Sequence, residues 1–388
     1  ALFVDLYELT MLQAYFEEAM TGEAVFSLFV RSLPDERNFL IACGLETVLH
    51  YLESIRFGGS DLAYLESLGL FSEPFLEWLS HYRFTGEVRA VAEGTPVFPD
   101  EPILEIRAPL IEAQLVETFV MNQVHLQTVL ASKAQRVVEA AGGRPVVDFG
   151  ARRMHGLDAA LKAARAFYIG GIAATSNLQA GHALGIPVSG TMAHSYIQAH
   201  RDEYAAFKAF TRRYPETVLL VDTYDTLEGV RKVIRLAREL GEAFQVRAVR
   251  LDSGDLLALS RETRSLLDEA GLEQVEIFAS GGLDETSIGR LMKEGAPIDG
   301  FGVGTRMGVS HDAPTLDIAY KLCAYAGQGR IKLSSGKPIL PGAKQVFRQY
   351  AGDTAVRDRI AAMGESHPGE PLLQTVMQNG RRLPDSHV

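Results

Sequence analysis

The sequence predicts an α/β protein: an irregular, incomplete barrel of about seven parallel strands, joined to an α+β domain formed by the N-terminal and C-terminal segments. Between residues 145 and 303, short apolar runs alternate with helix-length amphipathic stretches, which is typical of parallel strands joined by helices. Polar and glycine residues follow directly after those runs. The length of 388 residues also exceeds one ordinary hydrophobic core, so at least two domains are expected.

Residues 1–141 are predicted to form the N-terminal α+β domain. Asp5 to Met20 carries apolar residues at helical spacing, and Asp5 followed by Glu8 indicates a capping box. A long helix from 111 to 141 should end at Gly142-Gly143, where we place the domain junction. The other elements expected here are a strand over 24–31, helices over 45–55, 62–68 and 74–81, and short strands over 88–91 and 103–106.

Residues 142–318 are predicted to form the barrel. Its strand candidates are 145–149, 168–171, 186–190, 218–222, 246–251, 275–279 and 298–303. An open doubly wound sheet is the alternative, and it would also place ligands at the carboxyl ends of its strands. The segment 319–388 is expected to pack back on the N-terminal domain, with a hairpin region around 332–337 and 341–344.

Composition excludes several classes of protein. The chain is 47% hydrophobic and 22% charged, and no apolar run approaches the roughly 18 residues of a membrane span. Its net charge of −11 disfavours nucleic acid as a partner. Two distant cysteines, Cys43 and Cys323, favour neither a disulfide framework nor a cysteine-based zinc site. With no signal peptide evident, we expect a soluble cytoplasmic enzyme without a membrane partner.

Candidate site residues follow the predicted strands, at the edge where barrels gather their active sites. These residues are Arg152, Ser176, His194, Asp222, Asp252, Gly281 and Gly304. Phe149 beside Arg152 offers a planar group and a cation, although a core phenylalanine with a solvated arginine gives the same pattern. Asp222 suits Mg²⁺ or a polar network. His194 has no neighbouring histidine or cysteine, and a lone histidine is more often structural than catalytic.

The remaining candidate residues are suited to bind phosphate, carboxylate and ribose groups. Glycine-rich loops over 279–284 and 300–305 each follow a strand and precede a helix, so that their backbone N–H groups can bind phosphate. Arg250 can grip a carboxylate with its planar fork, and Asp252 can accept hydrogen bonds from ribose hydroxyls. A structural ion pair between these two residues is the alternative.

Taken together and in order, these motifs resemble the nicotinate phosphoribosyltransferase family. The matching blocks are Asp5–Met11, Asp148–Arg153, Ala174–Asn177, Gly190–His194, Arg250–Asp255, Gly302–Thr305 and Pro341–Val346. Each block is ambiguous by itself, but the ordered set covers most of the chain and is highly specific.

The resemblance implies a two-domain type II phosphoribosyltransferase that makes nicotinate mononucleotide from nicotinate and phosphoribosyl pyrophosphate, with ATP as a co-substrate and Mg²⁺ bound to both phosphate substrates. It implies a homodimer or larger homo-oligomer whose sites lie between subunits. The pyridine ring would lie between Phe149 and the neighbouring chain's Tyr7, and Arg250 would meet the nicotinate carboxylate. ATP would phosphorylate His194.

The other ligand contacts follow from the same resemblance. Arg152 and Asp252 would hold the phosphoribosyl group, and Thr191 and Asp222 would also contact substrate. The 5-phosphate would lie against Gly281, Gly282, Gly302 and Gly304. Three basic residues are further candidates for pyrophosphate or ATP contacts: Arg31, Lys332 and Lys344.

Four other classes of protein share part of this pattern. The nicotinamide-using relative resembles the chain but has an aspartate where Ser176 stands, and a hydroxyl suits the acid better than a carboxylate does. Quinolinate enzymes need a larger basic cluster and lack the His194 block. A Schiff-base aldolase needs a lysine at a strand end, whereas the lysines of the barrel, Lys162, Lys208, Lys232 and Lys293, lie in helical stretches. A nucleotide sensor would leave His194 beside Arg250 and Asp252 unexplained.

Overall fold

The structure is a computed structural model that describes residues 1–333 and 339–384, and the chain separates into two compact units. Unit 1 comprises Ala1–Val129 and Thr315–Val388, and unit 2 comprises Leu130–Pro314. The units change over at residues 130 and 315, and the expected domain limits of 142 and 319 stay predictions. The first boundary between the units falls within one continuous helix, Glu117–Ala140. The sequence of this helix contains no glycine or proline that would indicate a boundary.

The N-terminal part of unit 1 contains the predicted helices and strands with two differences: the helix expected over 111–141 is divided at Val116 into two helices, and the short strands β2 and β4 were not predicted. The helices are α1 (Leu6–Glu17), α2 (Leu45–Ser54), α3 (Gly59–Ser67), α4 (Glu73–His81), α5 (Leu110–Leu115) and the start of α6 (Glu117–Ala140). The strands are β1 (Glu23–Val30), β2 (Leu40–Ile41), β3 (Glu87–Ala90), β4 (Pro96–Val97) and β5 (Leu104–Pro109).

The predicted capping box at the start of α1 is wrong. The Asp5 side chain makes no hydrogen bond to the first turn, and its Oδ2 instead accepts from the Thr118 hydroxyl at 2.8 Å. Glu8 is fully buried, and its Oε1 accepts from the Thr118 hydroxyl at 2.6 Å and from the Thr118 N–H at 3.1 Å. A partner distant in sequence has replaced the local cap.

Unit 2 is built around a six-stranded parallel sheet that curls into a half-barrel, so the predicted fold class is confirmed. Its order is β7-β6-β11-β10-β9-β8. The strands are β6 (Val146–Asp148), β7 (Ala174–Thr175), β8 (Val218–Leu220), β9 (Ala248–Leu251), β10 (Glu276–Ala279) and β11 (Gly300–Val303). Its helices are α7 (Leu157–Ile169), α8 (Leu178–Leu184), α9 (His194–Gln198), α10 (Glu203–Arg213), α11 (Thr226–Leu240), α12 (Leu256–Glu269), α13 (Glu285–Lys293) and α14 (Thr305–Gly308), with 3₁₀ turns at Ala151–Arg153 and Gly241–Ala243.

Two strand predictions in unit 2 need correction. The run 168–171 begins within α7 and is not a strand, and the strand of this region is β7, a few residues later. A short apolar run at the end of a helix cannot be told from a strand by periodicity alone. The run 186–190 contributes one parallel bridge, from Val188 to Thr175, and no full strand.

The chain returns to unit 1 after residue 314. The strands there are β12 (Ile318–Tyr325), β13 (Gln328–Gly329), β14 (Lys344–Ala351), β15 (Thr354–Ala362), β16 (Glu370–Pro371), β17 (Gln374–Gln378) and β18 (Arg381–Arg382). The main antiparallel sheet has the order β13-β12-β1-β5-β3-β17-β18, so β1 pairs with β5 on one side and with β12 on the other. Leu28 of β1 faces Leu104 and Tyr320 in this register, and all three are buried.

Smaller sheets complete unit 1. They have the orders β15-β14-β16 and β2-β4. The predicted hairpin around 332–337 lies mostly outside the described residues. Among the described helices, none combines the length and the apolar character needed to cross a membrane.

Candidate active site

The carboxyl end of the half-barrel in unit 2 opens into a cavity of about 700 Å³. Its lining contains most of the site residues that the sequence predicts for this unit. They are Phe149, Arg152, Ser176, Thr191, His194, Arg250, Asp252, Gly281, Gly282, Gly302 and Gly304. The sheet topology explains the grouping, because the carboxyl ends of parallel strands meet at one edge. Asp222 is not in this lining.

Asp148, at the end of β6, fixes two loops of the cavity. Its carboxylate is fully buried and accepts from the Gly150 N–H at 2.7 Å and from the Thr175 hydroxyl at 2.8 Å. Burial raises the pKa of this carboxyl, and the two hydrogen bonds oppose that rise. The Ser176 N–H also donates to the Asp148 carbonyl at 2.9 Å. Asp148 therefore positions Phe149 and Ser176, a role that the sequence analysis did not assign.

The Phe149 ring forms an aromatic wall. A methyl group at Gly302 would lie 2.5 Å from a ring carbon of Phe149, so only glycine leaves room for the ring at this place. The ring also packs against Phe278, with centroids 6.1 Å apart. Gly302 is thus a packing partner of Phe149, and its contact with phosphate stays a prediction.

Arg250, on β9, is the cation nearest this ring, with its guanidinium carbon 5.9 Å from the ring centroid. Its side chain is 11% exposed, and its Nη2 donates to the Met192 carbonyl at 2.9 Å. Burial lowers the Arg250 pKa, while Asp252 and Asp222 act against that effect. The Nε is buried and has no hydrogen-bond partner among the described residues. Arg250 therefore has one N–H group without a hydrogen-bond partner in the described residues, beside the Phe149 ring.

His194 and Asp252 face each other across the cavity. The Nε2 of His194 lies 3.6 Å from Asp252 Oδ2, and its Nδ1 lies 3.1 Å from the Thr223 hydroxyl. Asp252 Oδ1 accepts from the buried Ser280 hydroxyl at 2.5 Å. Thr223 and Ser280 were not predicted as site residues, and their one distinguishing feature in the sequence is that each follows a strand.

Asp222 supports the loop that carries Asp252. Its Oδ2 accepts from the Asp252 N–H at 3.0 Å and from the Ser253 hydroxyl at 2.5 Å. Its Oδ1 is buried and has no partner in the described part of the chain. The structure thus gives Asp222 a positioning role, and its predicted contact with substrate stays a prediction.

The glycine loop after β10 lines the cavity with backbone that carries no side chains. Gly281 has a φ of +94°, and a methyl group there would lie 1.9 Å from the Asp252 carbonyl oxygen. This position therefore requires glycine on two grounds, conformation and space. The following Gly282 has no neighbour within 4 Å of the place a Cβ would take.

The carboxylate, imidazole and thiol groups of the structure indicate how a metal ion could bind. Within residues 1–333 and 339–384, no group of three or more histidine, cysteine, aspartate or glutamate side chains is placed to hold an ion. Mg²⁺ usually takes one or two carboxylates and completes its shell with water and substrate phosphates. Asp252, which lines the cavity, offers one carboxylate for that mode, in which the phosphates bring the ion.

Four predicted contacts belong to unit 1 and are described within it. Tyr7 is 49% exposed, and burial together with nearby glutamates raises its pKa. Arg31 forms an ion pair with Asp317 at 2.9 Å. Lys332 is exposed, whereas Lys344 is buried and its ammonium donates to two backbone carbonyls at 2.7 and 3.1 Å. Their roles toward substrate stay predictions.

Comparisons with known proteins agree along the whole chain. The profile of the nicotinate phosphoribosyltransferase N-terminal domain matches residues 2–125, and that of the nicotinate phosphoribosyltransferase family matches 145–363. A nicotinate phosphoribosyltransferase of Mycobacterium tuberculosis is 61% identical over 383 residues, covering 99% of this chain and 83% of that protein. One from Bacillus subtilis is 44% identical, covering 90% of this chain and 73% of that protein. The crystal structure of human nicotinic acid phosphoribosyltransferase superposes with a TM-score of 0.86 at 29% identity, covering 97% of this chain and 89% of that one.

Proposed function

The chain belongs to the nicotinate phosphoribosyltransferase family, as its motifs indicated, and from this premise we propose that it makes nicotinate mononucleotide with consumption of ATP. The substrates are nicotinate, phosphoribosyl pyrophosphate, ATP and water, and the other products are pyrophosphate, ADP and phosphate. The reaction is the first step of NAD synthesis from nicotinate. The observation that carries the proposal is the position of the Arg250 guanidinium beside the Phe149 ring on the wall of the cavity.

The acceptor site suits a planar anion. The pyridine ring would stack on Phe149, and the carboxylate would accept from Arg250, whose planar fork matches two carboxylate oxygens. Ser176 lines the same cavity, and its hydroxyl can donate to the acid. Because Arg250 is largely buried, its attraction for a carboxylate is weakly screened by water.

The transfer step needs alignment more than acid or base catalysis. Departure of pyrophosphate leaves a cationic, oxocarbenium-like ribose, and the nitrogen of nicotinate already carries the lone pair that attacks C1. Arg152 and the backbone at Gly281 and Gly282 would hold the phosphoribosyl group, with Asp252 next to the ribose. Mg²⁺, when bound with the phosphates, neutralises part of the leaving group's charge.

ATP use is assigned to His194. Its imidazole would attack the γ-phosphorus of ATP, so that an N–P bond forms as the bond to the ADP oxygen breaks. Water then cleaves the N–P bond and releases phosphate. The position of His194 on the cavity wall, 3.6 Å from Asp252, supports communication between this step and the ribose site.

The assembly and the remaining contacts complete the proposal. The active form is a homodimer or larger homo-oligomer in the cytoplasm, in which Tyr7 reaches the nicotinate of the neighbouring chain. Thr191 and Asp222 contact substrate, while Arg31, Lys332 and Lys344 bind pyrophosphate or ATP. No nucleic acid or membrane takes part.

A product assay tests this function directly. The purified chain is incubated with phosphoribosyl pyrophosphate, Mg²⁺ and either nicotinate or nicotinamide, with and without ATP. We expect nicotinate mononucleotide as the main product and faster formation with ATP. Equal or greater use of nicotinamide would refute the assignment of the acceptor, and an equal rate without ATP would refute the coupling.

A further inference from the structure

Thr223 lies just after β8, half-buried, with its hydroxyl 3.1 Å from Nδ1 of His194. We propose that Thr223 is a positioning residue, whose hydroxyl holds the His194 imidazole toward the cavity. The inference rests on the proposed role of His194 and adds the group that orients it.

The neighbouring contacts show why this residue matters. Asp222 binds the backbone N–H of Asp252, and the next residue, Thr223, binds the ring of His194. Two consecutive residues therefore fix both partners of the His194–Asp252 pair. The Ser280 hydroxyl donates to Oδ1 of the Asp252 carboxylate, which leaves Oδ2 as the oxygen that faces His194. The separation of 3.6 Å between imidazole and carboxylate thus depends on the loop after β8.

A hydroxyl suits this position better than other side chains do. The ring torsion of histidine is broad, so an imidazole without a hydrogen-bond partner is poorly oriented. A hydroxyl can donate or accept, so its contact with Nδ1 survives when the ring proton moves between the two nitrogens. A carboxylate in its place would add to the negative charge of Asp252, 3.6 Å from Nε2, and would favour the charged imidazolium, which has no lone pair for attack on phosphorus.

The test compares Thr223→Val, which keeps the shape and removes the hydroxyl, with Thr223→Ser, which keeps the hydroxyl. Thr226→Val is the matched control, because Thr226 begins α11 and makes no hydrogen bond to His194 within the described residues. We expect Thr223→Val to lower nicotinate-dependent ATP hydrolysis about tenfold, equivalent to about 1.4 kcal/mol, the size of one hydrogen bond. Thr223→Ser should restore the rate, and Thr226→Val should match the parent.

Nitrogen NMR of the isotope-labelled His194 imidazole gives a second readout, which a change in packing alone would not alter. In Thr223→Val, the tautomer ratio of the His194 imidazole should change, and Thr223→Ser should restore the parental ratio. Should the valine variant not fold, Thr223→Ala replaces it in the same comparison. A parental rate and unchanged imidazole signals without the hydroxyl would overturn the inference, as would serine that fails to rescue.

His194→Ala separates failure of this inference from failure of the proposed function. If that variant still hydrolyses ATP in response to nicotinate, the role of His194 is wrong and Thr223 loses its assigned purpose. If His194→Ala abolishes hydrolysis while Thr223→Val does not reduce it, the proposed function stands and the inference about Thr223 fails.

Discussion

Replacing Ser176 by aspartate places a negative charge in the cavity where we propose that nicotinate binds. Ser176 is exposed on the cavity wall, so the substitution requires no repacking of the core. It also leaves the start of α8 intact, because Asn177 is the cap, accepting from the N–H groups of Gln179 and Ala180 at 3.1 and 3.3 Å. A change in substrate preference is therefore separable from a change in helix stability.

The size of the effect follows from the charges in the cavity. Two unit charges about 4 Å apart at an effective dielectric near 20 repel by roughly 4 kcal/mol, which is an upper figure for aspartate against nicotinate. Arg250, only 11% exposed and already near Asp252, would offset part of this repulsion. One third of the upper figure, about 1.4 kcal/mol, corresponds to about a tenfold loss. Nicotinamide should gain, because its amide N–H can donate to the new carboxylate.

The assay measures kcat/KM for nicotinate and nicotinamide in the parent, in Ser176→Asp and in Ser176→Asn. Asparagine has nearly the shape of aspartate without its charge, so it controls for steric effects. We expect the preference to move at least about tenfold toward nicotinamide with aspartate and much less with asparagine. An unchanged ratio in a Ser176→Asp variant with parental thermal unfolding would refute the electrostatic reasoning.

Three further results are expected. His194→Ala should lose nicotinate-dependent ATP hydrolysis and keep a slow transfer without ATP, since the ribosyl step does not use the imidazole. ATP hydrolysis at the parental rate would rule out the proposed role of His194. Mixing inactive Tyr7→Ala and Arg250→Ala chains should restore activity, because one site of each heterodimer contains both residues; no recovery in demonstrated heterodimers would show that Tyr7 does not act across subunits. Burial raises the pKa of Glu8 from its ordinary value of 4.5 to about 7, so between these values the carboxyl ionises in the unfolded chain but stays neutral in the folded one, and stability falls as pH rises from about 4.5 to about 7. Urea unfolding at pH 5 and pH 8 should therefore show the parent losing a few kcal/mol more than Glu8→Gln loses, and equal losses would contradict this origin.

Local sequence accounts for much of the candidate site. His194, Arg250 and Asp252 each occur at or just after an apolar run, and parallel topology brings such positions together at one edge of the sheet. Thr223 and Ser280 hold equivalent positions and contact two of those residues. Their residue types are common after strands, so no sequence pattern distinguished them until the side chains could be located.

A contact distant in sequence overturned one local prediction. Asp5 has the composition of a helix cap, yet its carboxylate bonds Thr118, which lies 113 positions away. Gly302 follows the pattern of a phosphate loop, and the structure adds that the Phe149 ring occupies the space that a side chain would need there. In each case the contact comes from a part of the chain that is distant in sequence.

The fold class, the order of most helices and strands, and the group of polar residues at the strand ends could be predicted from the amino-acid sequence, because hydrophobic periodicity and residue order are local properties. The folded structure was needed to show which donors are left unpaired, as at Nε of Arg250, and which side chains hold the others in place, as Asp148, Asp222 and Thr223 do. Hydrogen bonds extend only about 3 Å, so a partner is fixed by the packing of segments that are far apart in the chain.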